Sequence, residues 1–197
     1  YNEVYPMRDC PAGADEGILK GLYRLTPSAM TAAARAHLLA SGSIVGEALA
    51  AQRILEERYG VSTDVWSVTS FQQLYRDGAA ADRWNWLHPE QPPRQSWIAR
   101  CLAGENGAFV IASDFVKALP DSVARWFPRA PIALGTDGFG RSESRPALRR
   151  FFEVDAATMT WAALVDLVRQ GQLRPAILAD ARRDLGIDPE KASPVDA

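Results

Sequence analysis

Short apolar runs along this chain alternate with longer stretches in which apolar residues recur every three or four positions. The runs at 36–40, 61–69, 108–112 and 131–134 are apolar or β-branched and read as strands. The spacing of Ile44, Ala48, Ala51 and Leu55 predicts a helix over 44–59. Ser43 is placed to cap it, Glu47 suits the positive end of its dipole, and Gly60 ends it. Ser70 precedes a short helix over 71–76, and Pro89, Pro92 and Pro93 then break the chain. Further helices are predicted over 96–102, 121–127, 146–152, 156–170 and 175–185. Ser144 and Asp155 stand as caps, and Gly171 and Gly186 as stops.

Strands alternating with helices predict an α/β fold of three layers: a mostly parallel sheet covered by helices on both faces, joined by right-handed crossovers. Four strands are legible. The stretch 15–25, which reads as a short helix or strand, is one place for a fifth. Residues 1–32, punctuated by glycine and proline, read as a tether from a preceding domain. Residues 33–187 form the α/β domain, and the polar 188–197 is expected to be a loose tail.

Charge and cysteine usage narrow the function. A net charge of −2 over 197 residues argues against a nucleic-acid surface or an anionic-membrane surface. The two cysteines, Cys10 and Cys101, have no metal or disulfide spacing, which suits a reducing cytoplasm. The first residue is Tyr1, as expected of a fragment or a processed chain.

The candidate chemistry gathers where the strands end. Ser41-Gly42-Ser43, Thr69-Ser70, Ser113-Asp114 and Thr136-Asp137 are expected on one sheet edge, with Gly138, Gly140 and Arg141 beyond the last. They would form a small-anion or interface site, since ligands of open α/β sheets bind outside the carboxyl ends of strands. The plainer reading, which carries more weight, is that these residues are helix caps. His88, within Arg83-Trp84-Asn85-Trp86-Leu87-His88-Pro89, reads as a packed or interfacial histidine. Trp84 and Trp86 are the candidate interface aromatics. His37, inside a strand, reads as structural, and Arg149-Arg150 as a solvated face. The glycines at 135, 138 and 140 do not make the dinucleotide fingerprint, and no phosphate loop, nucleophile–base pair or metal cluster stands out. No catalytic, cofactor-binding or metal-ligating residue is assigned.

Several stretches taken in order resemble one family. They include Tyr5-Pro6-Met7, 17–23, 40–44, 59–61, 65–71, 76–78, 83–89 and, most specifically, Gly135-Thr136-Asp137-Gly138-Phe139-Gly140-Arg141-Ser142 followed by Ser144-Arg145. This pattern is similar to the C-terminal domain of the homodimeric bacterial pyruvate dehydrogenases, the decarboxylating component of the pyruvate dehydrogenase complex. Cys10, Arg8-Asp9 and the alanine-rich 78–81 depart from it locally. The resemblance implies a transketolase-like architecture, with thiamine diphosphate and magnesium held between two other domains of a dimer. It implies as partners those domains, a second subunit and the dihydrolipoyl acetyltransferase. No cofactor is expected within this chain. The expected role is therefore structural, with a small-anion-binding regulatory module at the sheet edge as the alternative.

Overall fold

The computed structural model describes residues 9–196; the Tyr5-Pro6-Met7 motif, Arg8 and the rest of the first eight residues of the tether lie outside them, as does Ala197. A mixed sheet of five strands forms the middle layer, in the order β1-β3-β2-β4-β5, with β1 Leu22–Thr26, β2 Arg35–Ala40, β3 Ser62–Val68, β4 Ala108–Ala112 and β5 Ile132–Leu134. β3, β2, β4 and β5 run parallel, and β1 lies antiparallel on β3. Leu22–Thr26 falls within the residues read as a tether and overlaps the stretch 15–25 named as a place for a fifth strand; it is one of the sheet's two edge strands. Arg24↔Trp66 and Thr26↔Val65 enclose an irregularity that puts Leu25 outside the register.

The central strands are buried on both faces, so alternate side chains feed two cores. Ala36, Leu38, Ala40, Val65 and Val110 face one core with α2 Val45–Tyr59 and α7 Ala156–Arg169. Leu39, Trp66, Phe109 and Ile111 face the other with α3 Phe71–Leu87 and α4 Trp97–Cys101. Four smaller helices complete the fold: α1 Asp15–Lys20, α5 Ala118–Asp121, α6 Arg145–Phe151 and α8 Ile177–Asp184.

Three helix ends behave as their sequences require. Ser70, Ser96 and Asp155 each accept a hydrogen bond from the backbone N–H three residues on. Gly60 takes the left-handed conformation after α2, at φ 63°. Ser144 holds the N-cap position of α6 without a side-chain cap bond.

Four further stretches differ from the expectation. The short helix over 71–76 is a 17-residue helix, α3, running through Gly78. Gly78 is retained in its interior because Trp126 packs against the bare Cα. The helix over 121–127 is split into α5 and a 3-10 turn at Ala124–Trp126. Ser43 does not cap α2, because a 3-10 turn at Gly42–Ile44 intervenes. The stretch read as a loose tail is tied to α6. Lys191 Nζ donates to the carbonyls of Arg150 (3.2 Å) and Phe151 (2.6 Å), where the helix dipole is negative, and pairs with Glu153 at 2.9 Å.

Candidate functional site at the carboxyl edge

β2 and β4 are neighbours, but the chain leaves them in opposite directions. From β2 it enters α2 on one face, and from β4 it enters the α5 region on the other. Their carboxyl ends therefore flank the point where the winding of the sheet reverses, which is the place where an open α/β sheet leaves a crevice. Small polar residues line it. Ser41 Oγ donates to Ser113 Oγ at 2.9 Å, and Ser113 Oγ accepts from the Phe115 N–H at 3.2 Å. Both serines are buried, and each hydroxyl is satisfied by its neighbour.

Around this pair the loops are tied together. Ser43 Oγ donates to the Asp114 carboxylate at 3.2 Å, and Thr136 Oγ1 donates to the Asp114 carbonyl at 2.7 Å. Asp137 accepts from the Lys117 N–H at 2.8 Å. Gly138, at φ 94°, lies against Pro194 and Val195, so a side chain there meets both backbone strain and the C-terminal segment.

A cavity of about 330 Å³ opens beside this network. Ser43, Asp114, Thr136, Gly138, Gly140 and Arg141 of the expected set line it. Ser41, Gly42, Ser113 and Asp137 stand behind or beside it: Ser41 and Ser113 as the buried pair, Gly42 (φ 53°) opposite the Asp114 carboxylate, and Asp137 on a neighbouring depression. Thr69-Ser70 is not brought in. Thr69 Oγ1 donates to the Ile18 carbonyl and Ser70 caps α3.

Sequence reasoning missed the arginines of α6. Arg145 and Arg149 line the cavity together with Leu148 and Phe152. Arg149 is not a solvated residue: its guanidinium donates to Glu47 Oε1 at 2.8 Å and to the Ser43 carbonyl at 3.4 Å. The signal available was the four-residue spacing Arg141, Arg145, Arg149, which puts Arg145 and Arg149 on one helix face.

Trp84 and His88 stack on each other at 4.6 Å, and the Arg94 guanidinium lies over the Trp84 ring at 4.0 Å. His88 Nδ1 lies 2.9 Å from the Trp84 carbonyl. These two aromatics thus build a closed local stack, whereas Trp86 beside them is 79% exposed.

A second polar cluster lies at the opposite end of the sheet. His37, Asp64 and Glu105 offer one ligand atom each within 4.8 Å of one another. Each of the three already has neighbours as partners. His37 Nε2 faces the Asn106 carbonyl at 3.1 Å, and His37 Nδ1 accepts from the Trp66 indole at 3.4 Å. Arg35 pairs with Asp64 at 3.1 Å, and Arg24 pairs with Glu105. Burial holds the His37 imidazole below its ordinary value near 6.5, against the pull of Glu105 and Asp64 toward the charged form. In the cluster two half-exposed arginines balance the two carboxylates around a buried imidazole.

Comparison with known proteins completes the description. The chain matches the family described as "Transketolase-like TK C-terminal domain" over residues 21–155. It is 45% identical over 196 residues to the "Pyruvate dehydrogenase E1 component" of Pseudomonas aeruginosa, covering 99% of this chain and 22% of that protein. It is 44% identical over 195 residues to the protein of the same description from Escherichia coli K12, covering 98% of this chain and 22% of that protein. The chain thus spans about a fifth of the length of these relatives. Among solved structures, a transketolase from Pichia stipitis superposes with a TM-score of 0.52 at 19% identity, over 80% of this chain and 19% of that one. A transketolase from Leishmania mexicana gives 0.51 at 18% identity, over 78% and 19%. These two likenesses concern the fold. With the family match over most of the domain and the mostly parallel, helix-covered sheet, the chain belongs to the transketolase-like C-terminal domain family.

Proposed function

We propose that this chain is the C-terminal domain of a homodimeric, thiamine-diphosphate-dependent pyruvate dehydrogenase, and that its work there is assembly. The observation that carries this reading is the 45% identity over 99% of the chain to a pyruvate dehydrogenase E1 component that it spans for only 22% of its length. The remaining length of such a protein holds the cofactor in this reading. It takes pyruvate, releases carbon dioxide and passes the acetyl group to a lipoyl group on the acetyltransferase partner, in the cytoplasm. The cofactor supplies an electron sink for the carbanion when bound.

Among the described residues, neither polar cluster suits that cofactor's magnesium. Magnesium asks for several oxygen ligands in octahedral array. The edge cavity offers the single carboxylate of Asp114 among three arginines. The His37 cluster has its carboxylates engaged by Arg24 and Arg35. No chemical step is therefore assigned to this chain. What it offers is surface: Phe139 at 85% exposure and Phe115 at 61% on the carboxyl-edge loops, and Trp86 at the end of α3. Exposed aromatics of this kind anchor contacts with other domains or with a second subunit.

The test assays the 197-residue chain with pyruvate, thiamine diphosphate, magnesium and a dye acceptor. No turnover is expected from the chain alone, and turnover is expected when it is joined to the rest of the protein. Decarboxylation by the isolated 197 residues refutes the reading.

A further inference from the structure

We propose that the C-terminal segment 188–196 is a latch. Fastened to α6 through Lys191, it crosses the loop 135–144 that leaves β5 and holds it in place; when the fastening is lost, the loop loosens, and with it the exposed Phe139. The proposal concerns how this edge is held and does not depend on the assembly reading.

A lysine does the fastening. Ile187 packs against the first core, and the segment after it forms short turns: the Glu190 N–H donates to Asp188 Oδ1 at 2.9 Å and the Asp196 N–H to the Ser193 carbonyl at 2.9 Å. Lys191 reaches from these turns to the carbonyls of Arg150 and Phe151 and to the Glu153 carboxylate, the longest bond being 3.2 Å. The two carbonyls end α6, where a helix leaves carbonyls without partners of its own and its dipole favours a cation. Glu153 stands at φ 61°, a left-handed conformation that a residue with a side chain enters under strain, and there its carboxylate meets Lys191.

The segment covers the place where β5 gives way to the loop. Pro194 and Val195 lie on Gly138, where a Cβ would overlap the Pro194 carbonyl oxygen and come within 3.3 Å of Val195 Cα. Loop and segment therefore cross backbone to backbone at a residue of φ 94°. Ser193, Pro194 and Val195 also close a cavity of about 150 Å³ against Leu134, Gly135 and Phe152. β5 is a three-residue edge strand, and proteins commonly blunt such edges by covering them.

The latch can open without the sheet opening. The segment forms neither helix nor strand, and Val195 is 58% exposed. Segments of that kind open locally far more readily than core strands do. The base of the loop carries two amides that report its closure: the Thr136 N–H donates to the Phe115 carbonyl at 2.9 Å, and the Lys117 N–H to Asp137 at 2.8 Å.

The experiment is hydrogen exchange of the protein, read by mass spectrometry in peptides carrying the Lys117 and Thr136 amides. It compares the parent, Lys191→Met and a chain ending at Ile187. Methionine keeps an apolar stem and removes the charge and the donors. Both changes should speed exchange at the two loop amides about tenfold, through loss of the charge-assisted bonds, with peptides of β2 and β4 unchanged. Lys20→Met, which removes an exposed lysine from α1, should match the parent throughout. Unchanged loop exchange in Lys191→Met overturns the proposal even if the segment itself exchanges faster, because the segment is then a passenger. Equal acceleration in β2 and β4 also overturns it, because Lys191 then supports the whole domain. If the shortened chain does not fold, Lys191→Met decides alone, since its side chain lies at the surface, 28% exposed.

Discussion

Gly78→Ala tests the packing of the second core. In an exposed helix interior this substitution stabilises by up to about 1 kcal/mol, since alanine is the better helix former. In α3 the outcome reverses. A Cβ built on Gly78 stands 2.5 Å from Cδ2 and Cζ2 of the Trp126 indole and closer still to Cε2, where ordinary contact begins near 3.4 Å. The indole must retreat by roughly 1 Å. Its Nε1 donates to Asp82 Oδ2 at 3.1 Å, Arg125 covers it at 4.4 Å, and Tyr75 meets its edge at 5.7 Å. Overpacking costs about 1–3 kcal/mol and loss of the indole bond about 1 kcal/mol more. Less the propensity gain, the net is roughly 1–3 kcal/mol destabilising, or a fall in Tm of roughly 3–10 °C for a domain of this size. Thermal melts and urea titrations read it directly. The control is Gly46→Ala in α2, an exposed position where a Cβ meets nothing within 4 Å, and it should be neutral or slightly stabilising. If both variants melt above the parent, Trp126 does not pack on Gly78 and the reasoning fails.

Asp155→Ala removes the cap of α7 and a partner of Arg150, and should cost about 1–2 kcal/mol in urea unfolding, with Asp155→Asn costing less. Because His37 is depressed in the folded chain, the unfolded chain binds more protons below pH 6.5. Its contribution is thus complete above that pH and lost on acidification. The urea midpoint should fall from pH 7 toward pH 5, and His37→Asn should flatten that slope; an unchanged slope contradicts the assignment. The Cys101 thiol is pushed up to about 11 by burial, so at pH 8 Ellman's reagent should titrate the exposed Cys10 quickly and Cys101 slowly. Two equally fast thiols would show that Cys101 is not sheltered.

The three-layer fold was legible because β2, β3 and β4 are buried on both faces and so appear as unbroken apolar or β-branched runs. β1 was legible only as one place for a fifth strand within 15–25, because an edge strand buries less: Leu22 is fully buried, Tyr23 and Leu25 only partly, and Gly17 and Gly21 precede them. Asp77-Gly78 looked like the end of a helix. Only the distant Trp126, which needs that bare position, keeps α3 running through it. Ser43 shows the same limit in a polar residue. Its position before an amphipathic run is that of a cap, yet Asp114, 71 residues away, offers its hydroxyl a different partner.

The cavity at the carboxyl edge follows from topology more than from any motif. Once α2 and α5 depart on opposite faces, the ends of β2 and β4 cannot be covered by a helix crossing between them. Backbone groups exposed in that gap need partners. Ser41 donates its N–H to the Ala112 carbonyl at 3.2 Å, and Ser113 donates its N–H to the Leu134 carbonyl at 3.1 Å, carrying the ladder one residue past each strand. The hydroxyl pair then closes the floor, which is why serines serve there and larger side chains would fill the crevice. The floor is thus satisfied from within, while Arg141, Arg145 and Arg149 bring positive charge to the surrounding walls.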